Sequence, residues 1–114
     1  MYNGHMSDEC LFCSIANGDG KKFVWENDSI VAFPDINPDA PVHLLVVPRR
    51  HVVNLDDLND AKLAGDLLLA ARDVAKQAGI AGNWRVRINN GAGAGQVINH
   101  LHLHVMGSKE AGAF

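Results

Sequence analysis

The sequence predicts an α+β fold with a five-stranded antiparallel sheet and two helices. Three observations carry this: short apolar runs joined by tight turns, one long stretch with helical periodicity, and a last strand of strict alternation. Hairpins dominate the order of elements, which disfavours a doubly wound parallel sheet. The chain has 114 residues and is 47% hydrophobic, enough for one core.

Cys10 to Asn17 reads as one or two helical turns stopped by Gly18. Phe23 to Glu26 and Ile30 to Phe33 flank Asn27-Asp28 and form a hairpin. Pro34 to Pro41 carries three prolines and two aspartates and makes a fixed loop. Leu44 to Val47, between His43 and Pro48, is a central strand. Asp60 to Ala78 is the long helix, with Leu63, Leu67, Ala70, Val74 and Ala78 on its apolar face. Leu68, Ala71 and Ala75 widen that face, and Gly79 supplies the stop. Trp84 to Ile88 alternates apolar and basic residues as a half-exposed strand. Gly91 to Gly95 is a flexible glycine loop, and His100 to Met106 is the last strand.

Net charge is −3 with no basic stripe, so nucleic-acid binding is not indicated. No apolar run approaches the roughly 20 residues of a membrane span, and no secretory pattern opens the chain. With two cysteines only, this predicts a reducing, cytoplasmic setting. Met1 to His5 reads as a cloning remnant ahead of a start at Met6, which leaves a single domain over 6–114 and excludes His5 from function.

The decisive segment is His100-Leu-His102-Leu-His104-Val-Met. On a strand the three histidines share one face, about 6.6 Å apart, while Leu101, Leu103 and Val105 share the other. Neutral imidazole is a nucleophile, and its cation binds phosphate. A metal centre uses the same residue type. The glycine loop ending at Gln96 suits an anion. On the residues alone, phosphate chemistry and a metal centre stand level.

The segment resembles the His-φ-His-φ-His-φ-φ signature of the histidine-triad superfamily. Phe33-Pro-Asp35-Ile-Asn-Pro-Asp-Ala-Pro-Val-His43-Leu-Leu-Val-Val-Pro and Asn89-Asn-Gly-Ala-Gly-Ala-Gly95-Gln96 resemble two further motifs of that family, in the right order. The resemblance runs from about Cys10 to Met106 and decides for phosphate chemistry. It implies that His102 attacks the α-phosphorus and becomes nucleotidylated, with His104 and His43 lining the phosphate and assisting departure. It places Asn89 and Gln96 near the phosphate and Asp35 on the ribose hydroxyls. Phe12, Ile15, Phe33 and Ile36 become walls around base and sugar. Without the resemblance, these apolar residues read as core, Asp35 as a turn residue, and Asn89 as a strand-end turn former.

The implied substrates are nucleoside 5′-phosphoramidates or similar purine nucleotide conjugates. Dinucleoside polyphosphates are the alternative within that chemistry, and a nucleotide-binding scaffold with little turnover is the rival of another class. The family habit of a homodimer, through the long helix and the Trp84–Ile88 strand, is adopted. Two departures bear on specificity. Val97 stands where many phosphoramidase-like members have a hydroxyl, and Ser108 to Phe114 lacks their tryptophan-bearing tail.

Cys10-Leu-Phe-Cys13 is a C-x-x-C pair with no preceding strand of a thioredoxin-like unit. Buried free thiols are the simple reading. A structural zinc needs four ligands, and His51 and His100 complete the set. Bacterial members similar to this chain carry zinc at such a set, so one closed zinc site per chain is expected.

Overall fold

The computed structural model describes residues 10–110. The expected remnant Met1–His5 and the end of the tail, residues 111–114, lie outside the described residues. The elements follow the expected order: α1 (Leu11–Ala16), β1 (Trp25–Glu26), β2 (Ile30–Pro34), β3 (Val42–Pro48), α2 (Ala61–Gln77), β4 (Trp84–Arg87) and β5 (Leu103–Gly107). The five strands form one sheet in the order β1-β2-β3-β5-β4, and every pairing is antiparallel.

The sheet separates two apolar clusters. On one face α2 lays Leu63, Leu67, Ala70, Ala71, Val74 and Ala75 against Ile30, Ala32, Leu44, Val46, Leu103 and Val105. On the other, α1 sets Phe12 and Ala16 against Val31, Phe33, Leu45 and Val47. Local chemistry explains both helix starts. The Asp60 carboxylate accepts from Leu63 N–H, and Cys10 Sγ accepts from Cys13 N–H. Arg49 ties α1 to the first hairpin by donating to the carbonyls of Ala16 and Asn27 and to Glu26 Oε1.

Several expectations are corrected. Leu68 does not widen the apolar face of α2. It is 57% exposed, with Leu69 beside it at 50%, because the stripe that meets the sheet is narrower than the run of leucines. The first hairpin strand shortens to Trp25–Glu26 because Phe23 N–H closes a turn onto the carbonyl of Gly20. The glycine stretch folds into a 3-10 turn over Ala92–Ala94. The N–H groups of Gly91, Ala94, Gly95 and Gln96 are bonded within it, so it is a braced turn.

The last strand begins at Leu103, not at His100. The ladder with β3 ends at Val46↔Leu103. Two residues further along β3 stands Pro48, which has no N–H to donate, and its carbonyl is taken by the His100 side chain at 2.8 Å. Leu101 N–H turns instead to the carbonyl of Val52 at 2.6 Å. Alternation survives the loss of pairing: Leu101, Leu103 and Val105 enter the α2 core, while the histidines stay opposite.

Gly107 ends β5 where a Cβ would meet the Asn83 carbonyl oxygen at 2.5 Å and Trp84 Cβ at 2.9 Å. Gly65, within α2, has nothing within 4 Å of such a Cβ. Gly107→Ala should therefore lower unfolding free energy by about 1–3 kcal/mol, whereas Gly65→Ala should raise it by about 0.4–1 kcal/mol. Thermal and urea denaturation of the two variants check the opposite signs.

Candidate functional site

Three of the histidines meet on the α1 face of the sheet. His43 comes from β3, His104 from β5, and His102 from the unpaired segment just before β5. All three are at most 7% exposed. The His102 and His104 ring centroids lie 5.0 Å apart. Phe12, on α1, meets the His102 ring edge-on at 5.0 Å and 86°.

Backbone groups assign the tautomers. His43 Nδ1 accepts the N–H of Asp39 at 3.0 Å, so the proton of a neutral His43 sits on Nε2. That Nε2 lies 2.8 Å from His104 Nδ1, which must accept, so His104 carries its proton on Nε2. His104 Nε2 is buried and meets no protein acceptor. It is a buried N–H donor awaiting an acceptor. His102 Nδ1 donates to the carbonyl of His100 at 2.6 Å, which leaves the Nε2 of His102 with a lone pair.

Burial disfavours the charged forms of His102 and His104. It lowers His102 below the ordinary histidine value, against the favourable carbonyl bond. Burial also takes His104 down to about 4, helped by the neighbouring His102, Arg87 and His43. Asp35 opposes this only in part. Its Oδ2 is 3.3 Å from His43 Nε2 and 3.9 Å from His104 Nδ1. Its Oδ1 accepts from Asn37 N–H at 2.8 Å, so Asp35 is both a turn residue and a member of the cluster.

The other expected residues separate into distinct positions. Phe12 and Phe33 are buried and stack edge-on at 5.5 Å, while Ile15 is half-buried against the same cluster. Ile36 is 85% exposed on the loop after β2. Asn89 lies under Gly95, its amide nitrogen 3.7 Å from where a Cβ would stand. Gly95 has φ of 91°, a left-handed value that favours glycine. Gln96 is buried, and its side chain accepts from Gly91 N–H and donates to the carbonyls of Val53 and Ile98. It therefore braces the glycine turn. Val97 is 85% exposed.

The second cluster joins Cys10, Cys13, His51 and His100, whose ligand atoms all lie within 4.8 Å of one another. His100 Nδ1 is 3.3 Å from both thiol sulfurs, and His51 Nδ1 is 3.1 Å from Cys13 Sγ. A tetrahedral Cys₂His₂ zinc site needs nitrogen–sulfur separations of about 3.5 Å, so the donors fit with a small expansion. His100 Nε2 donates to the Pro48 carbonyl, which presents Nδ1 unprotonated to the cluster. Burial holds His100 at about 4, neutral as a ligand must be. With no cation, burial and Cys10 push the Cys13 thiol up to about 12. A metal ion reverses that preference.

Asp35, His43 and His104 also lie close enough together to suggest a metal. The tautomers argue otherwise. His43 Nε2 carries the proton because Asp39 N–H occupies Nδ1, so that ring offers a donor, not a lone pair, to the cluster.

The description "HIT domain" matches residues 19–111. The chain belongs to the histidine-triad, or HIT, family. It is 40% identical over 107 residues to an uncharacterized HIT-like protein of Synechocystis, covering 91% of this chain and 94% of that protein. The HitA protein of Neisseria gonorrhoeae is 38% identical over 104 residues, covering 89% and 97%. Among solved structures, a HIT family hydrolase from Clostridium thermocellum superposes with TM-score 0.84 at 37% identity, covering 92% of this chain and 95% of that one. One from Legionella pneumophila gives 0.82 at 38%, covering 89% and 94%. Candida albicans has a histidine triad nucleotide-binding protein that gives 0.75 at 28%, covering 89% and 76%. Among the described residues no helix is long and apolar enough to cross a membrane.

The titration of His104 gives a test. Its folded value, about 4, lies below the ordinary 6.5, so the native state binds fewer protons than the unfolded chain. Its contribution is complete above about pH 6.5 and is lost as pH falls toward 4. Denaturation between pH 7 and 4 should show that loss, and His104→Asn should flatten it. A His104 imidazole NMR midpoint near 6.5 would contradict the neutral assignment.

Proposed function

We propose that the protein is a nucleotide hydrolase in which His102 Nε2 attacks the α-phosphorus of a purine nucleotide conjugate. One observation carries this reading. The Nδ1–H of His102 is spent on the His100 carbonyl, so a buried, neutral nitrogen lone pair faces the cluster that also holds the unpartnered His104 N–H. The N–P bond forms as the bond to the leaving group breaks. His104 Nε2–H donates to a phosphoryl oxygen as a fixed dipole, and an amine leaving group takes its proton from solvent water. A water molecule then attacks phosphorus, the N–P bond breaks, and the nucleoside monophosphate departs.

Asp35 offers its Oδ2 to the ribose hydroxyls, with its Oδ1 already anchored on Asn37. Phe12, Ile15 and Phe33 wall the nucleoside side, Ile36 closes it from the loop, and Asn89 and Gln96 shape the phosphate turn. Nucleoside 5′-phosphoramidates are the substrate class this family resemblance supports first. A scaffold role that only binds nucleotide has no use for the orientation of His102.

The Cys10, Cys13, His51 and His100 set holds a structural zinc in this reading. Bound zinc supplies a cross-link between α1 and the segment ahead of β5, with no open position for water. The thiolates suit a reducing cytoplasm. The chain works as a homodimer through α2 and β4. Support comes from the exposed Leu68 and Leu69 and from the position of β4 at the edge of the sheet.

Two experiments test the reading. His102→Asn should cut turnover of an adenosine phosphoramidate by several orders of magnitude, far beyond the roughly 10²–10³ of a lost hydrogen-bond donor, while nucleotide still binds by calorimetry. Wild-type turnover in that variant removes the nucleophile. Metal analysis of protein prepared without added zinc should find about one zinc per chain, the stoichiometry of a single closed site. Cys13→Ser should release it and lower the melting temperature. If metal-free, folded protein lost all turnover and regained it with zinc alone, the phosphohistidine route would be wrong.

A further inference from the structure

The register of the sheet lays one row of side chains across the α1 face. Phe33 on β2 opposes Leu45 on β3, Leu45 opposes His104 on β5, and His104 opposes Arg87 on β4. Directly opposed residues project to the same face. Strand spacing puts Arg87 about 5 Å beyond His104 and about 14 Å from Phe33. Phe33 belongs to the apolar cluster under α1. A nucleotide conjugate laid along this row, with its base on that side and its α-phosphate at the histidines, brings whatever is attached beyond the phosphate near β4.

Arg87 waits at that end. Its guanidinium meets Asp39 at 3.7 Å, with the two side chains 43% and 64% exposed. So exposed and long a pair contributes little and exchanges readily for a better anion. Arg87 stands directly opposite His104, close enough that its charge disfavours protonation of that ring. Asp39 joins the two ends of the device. Its N–H holds His43, and its carboxylate holds Arg87.

The chemistry of departure then differs between substrates. An amine needs a proton to leave phosphorus. Val97 has no hydroxyl to supply one, and in the neutral tautomers the single N–H protons of His43 and His104 are poor acids. A phosphate leaving group needs no proton, only a cation beside its developing negative charge.

We propose that Arg87 is a specificity-determining residue that binds an anionic leaving group, so that the site favours nucleotides joined at the α-phosphorus to further phosphate over those joined to a neutral amine. This rests on the reading of His102 as nucleophile. With diadenosine triphosphate, the His102 Nε2 lone pair forms the N–P bond and the bridging P–O bond breaks. Its electron pair leaves on the terminal oxygen of ADP, held by Arg87. Water then cleaves the N–P bond to give AMP, and its proton passes to solvent.

The test compares kcat/KM for diadenosine triphosphate and for an adenosine phosphoramidate of a neutral amine, in the wild type and in Arg87→Gln and Arg87→Lys. Arg87→Gln should shift the ratio of the two by about 10- to 100-fold against the triphosphate, the range of a lost charge-assisted hydrogen bond. Arg87→Lys should recover part of it, and added salt should weaken the wild-type preference more than that of the glutamine variant. Size-exclusion chromatography keeps an effect on assembly distinct. Equal losses on both substrates, or no loss, would overturn the role of Arg87. If turnover of both also persisted in His102→Asn, the nucleophile itself would be wrong, an outcome separate from the failure of Arg87.

Discussion

The hydrogen bond from His100 to the Pro48 carbonyl is the constraint on which the rest depends. His100 is fully buried, and its two ring nitrogens and its carbonyl have separate tasks. Nε2–H is fixed on β3, so Nδ1 must face the two thiols. The backbone carbonyl of the same residue accepts the Nδ1–H of His102 and thereby directs its other nitrogen. The Cys–His cluster and the orientation of His102 are thus built from opposite ends of one residue. Phe12 adds a second link, since it sits between the two cysteines in sequence and packs its ring on His102. Whatever holds α1 in place also packs against the His102 ring.

The same arrangement explains why the charged forms of His102 and His104 are disfavoured. Imidazoles packed against one another and against phenylalanine lose hydration and repel each other's protons, so burial dominates and His104 stays neutral. Neutral rings supply a lone pair at His102 and a fixed N–H at His104. They do not supply charge for a phosphate. Permanent charge has to come from outside the buried cluster, and the ladder places Arg87 beside it.

Much of this was legible in the sequence, for reasons that also mark the boundary. The helical stripe of α2 and the hairpin were readable because periodicity and turn residues act locally. The side alternation of His100 to Val105 was readable because an apolar residue cannot face both ways. The true start of β5 was not, because it depends on Pro48 in the partner strand and on a side chain taking its carbonyl. Leu68 misled because a run of three leucines is wider than the contact a helix makes with a sheet. Gln96 was placed in the right turn, but its work as a brace appears only once Val53 and Ile98 are seen beside it. Arg87 was visible as a basic residue on a half-exposed strand. Its place opposite His104 is a matter of register, which one strand cannot reveal.

Register also gives the site a direction. Across the strands, the row from Phe33 through Leu45 and His104 to Arg87 passes from apolar, to polar and neutral, to cationic. A nucleotide conjugate has the same gradient, from base through α-phosphate to whatever is attached beyond it. The loop from Asp35 to Pro41 borders this row, with Asp35 beside His43 and His104 and Asp39 beside Arg87. Its prolines restrict the backbone, so the Asp39 N–H that fixes His43 is held without a side chain of its own. The loop therefore reaches His43 and His104 through a backbone group. That makes the tautomer of His104 insensitive to most substitutions on the loop and sensitive to any that moves its backbone.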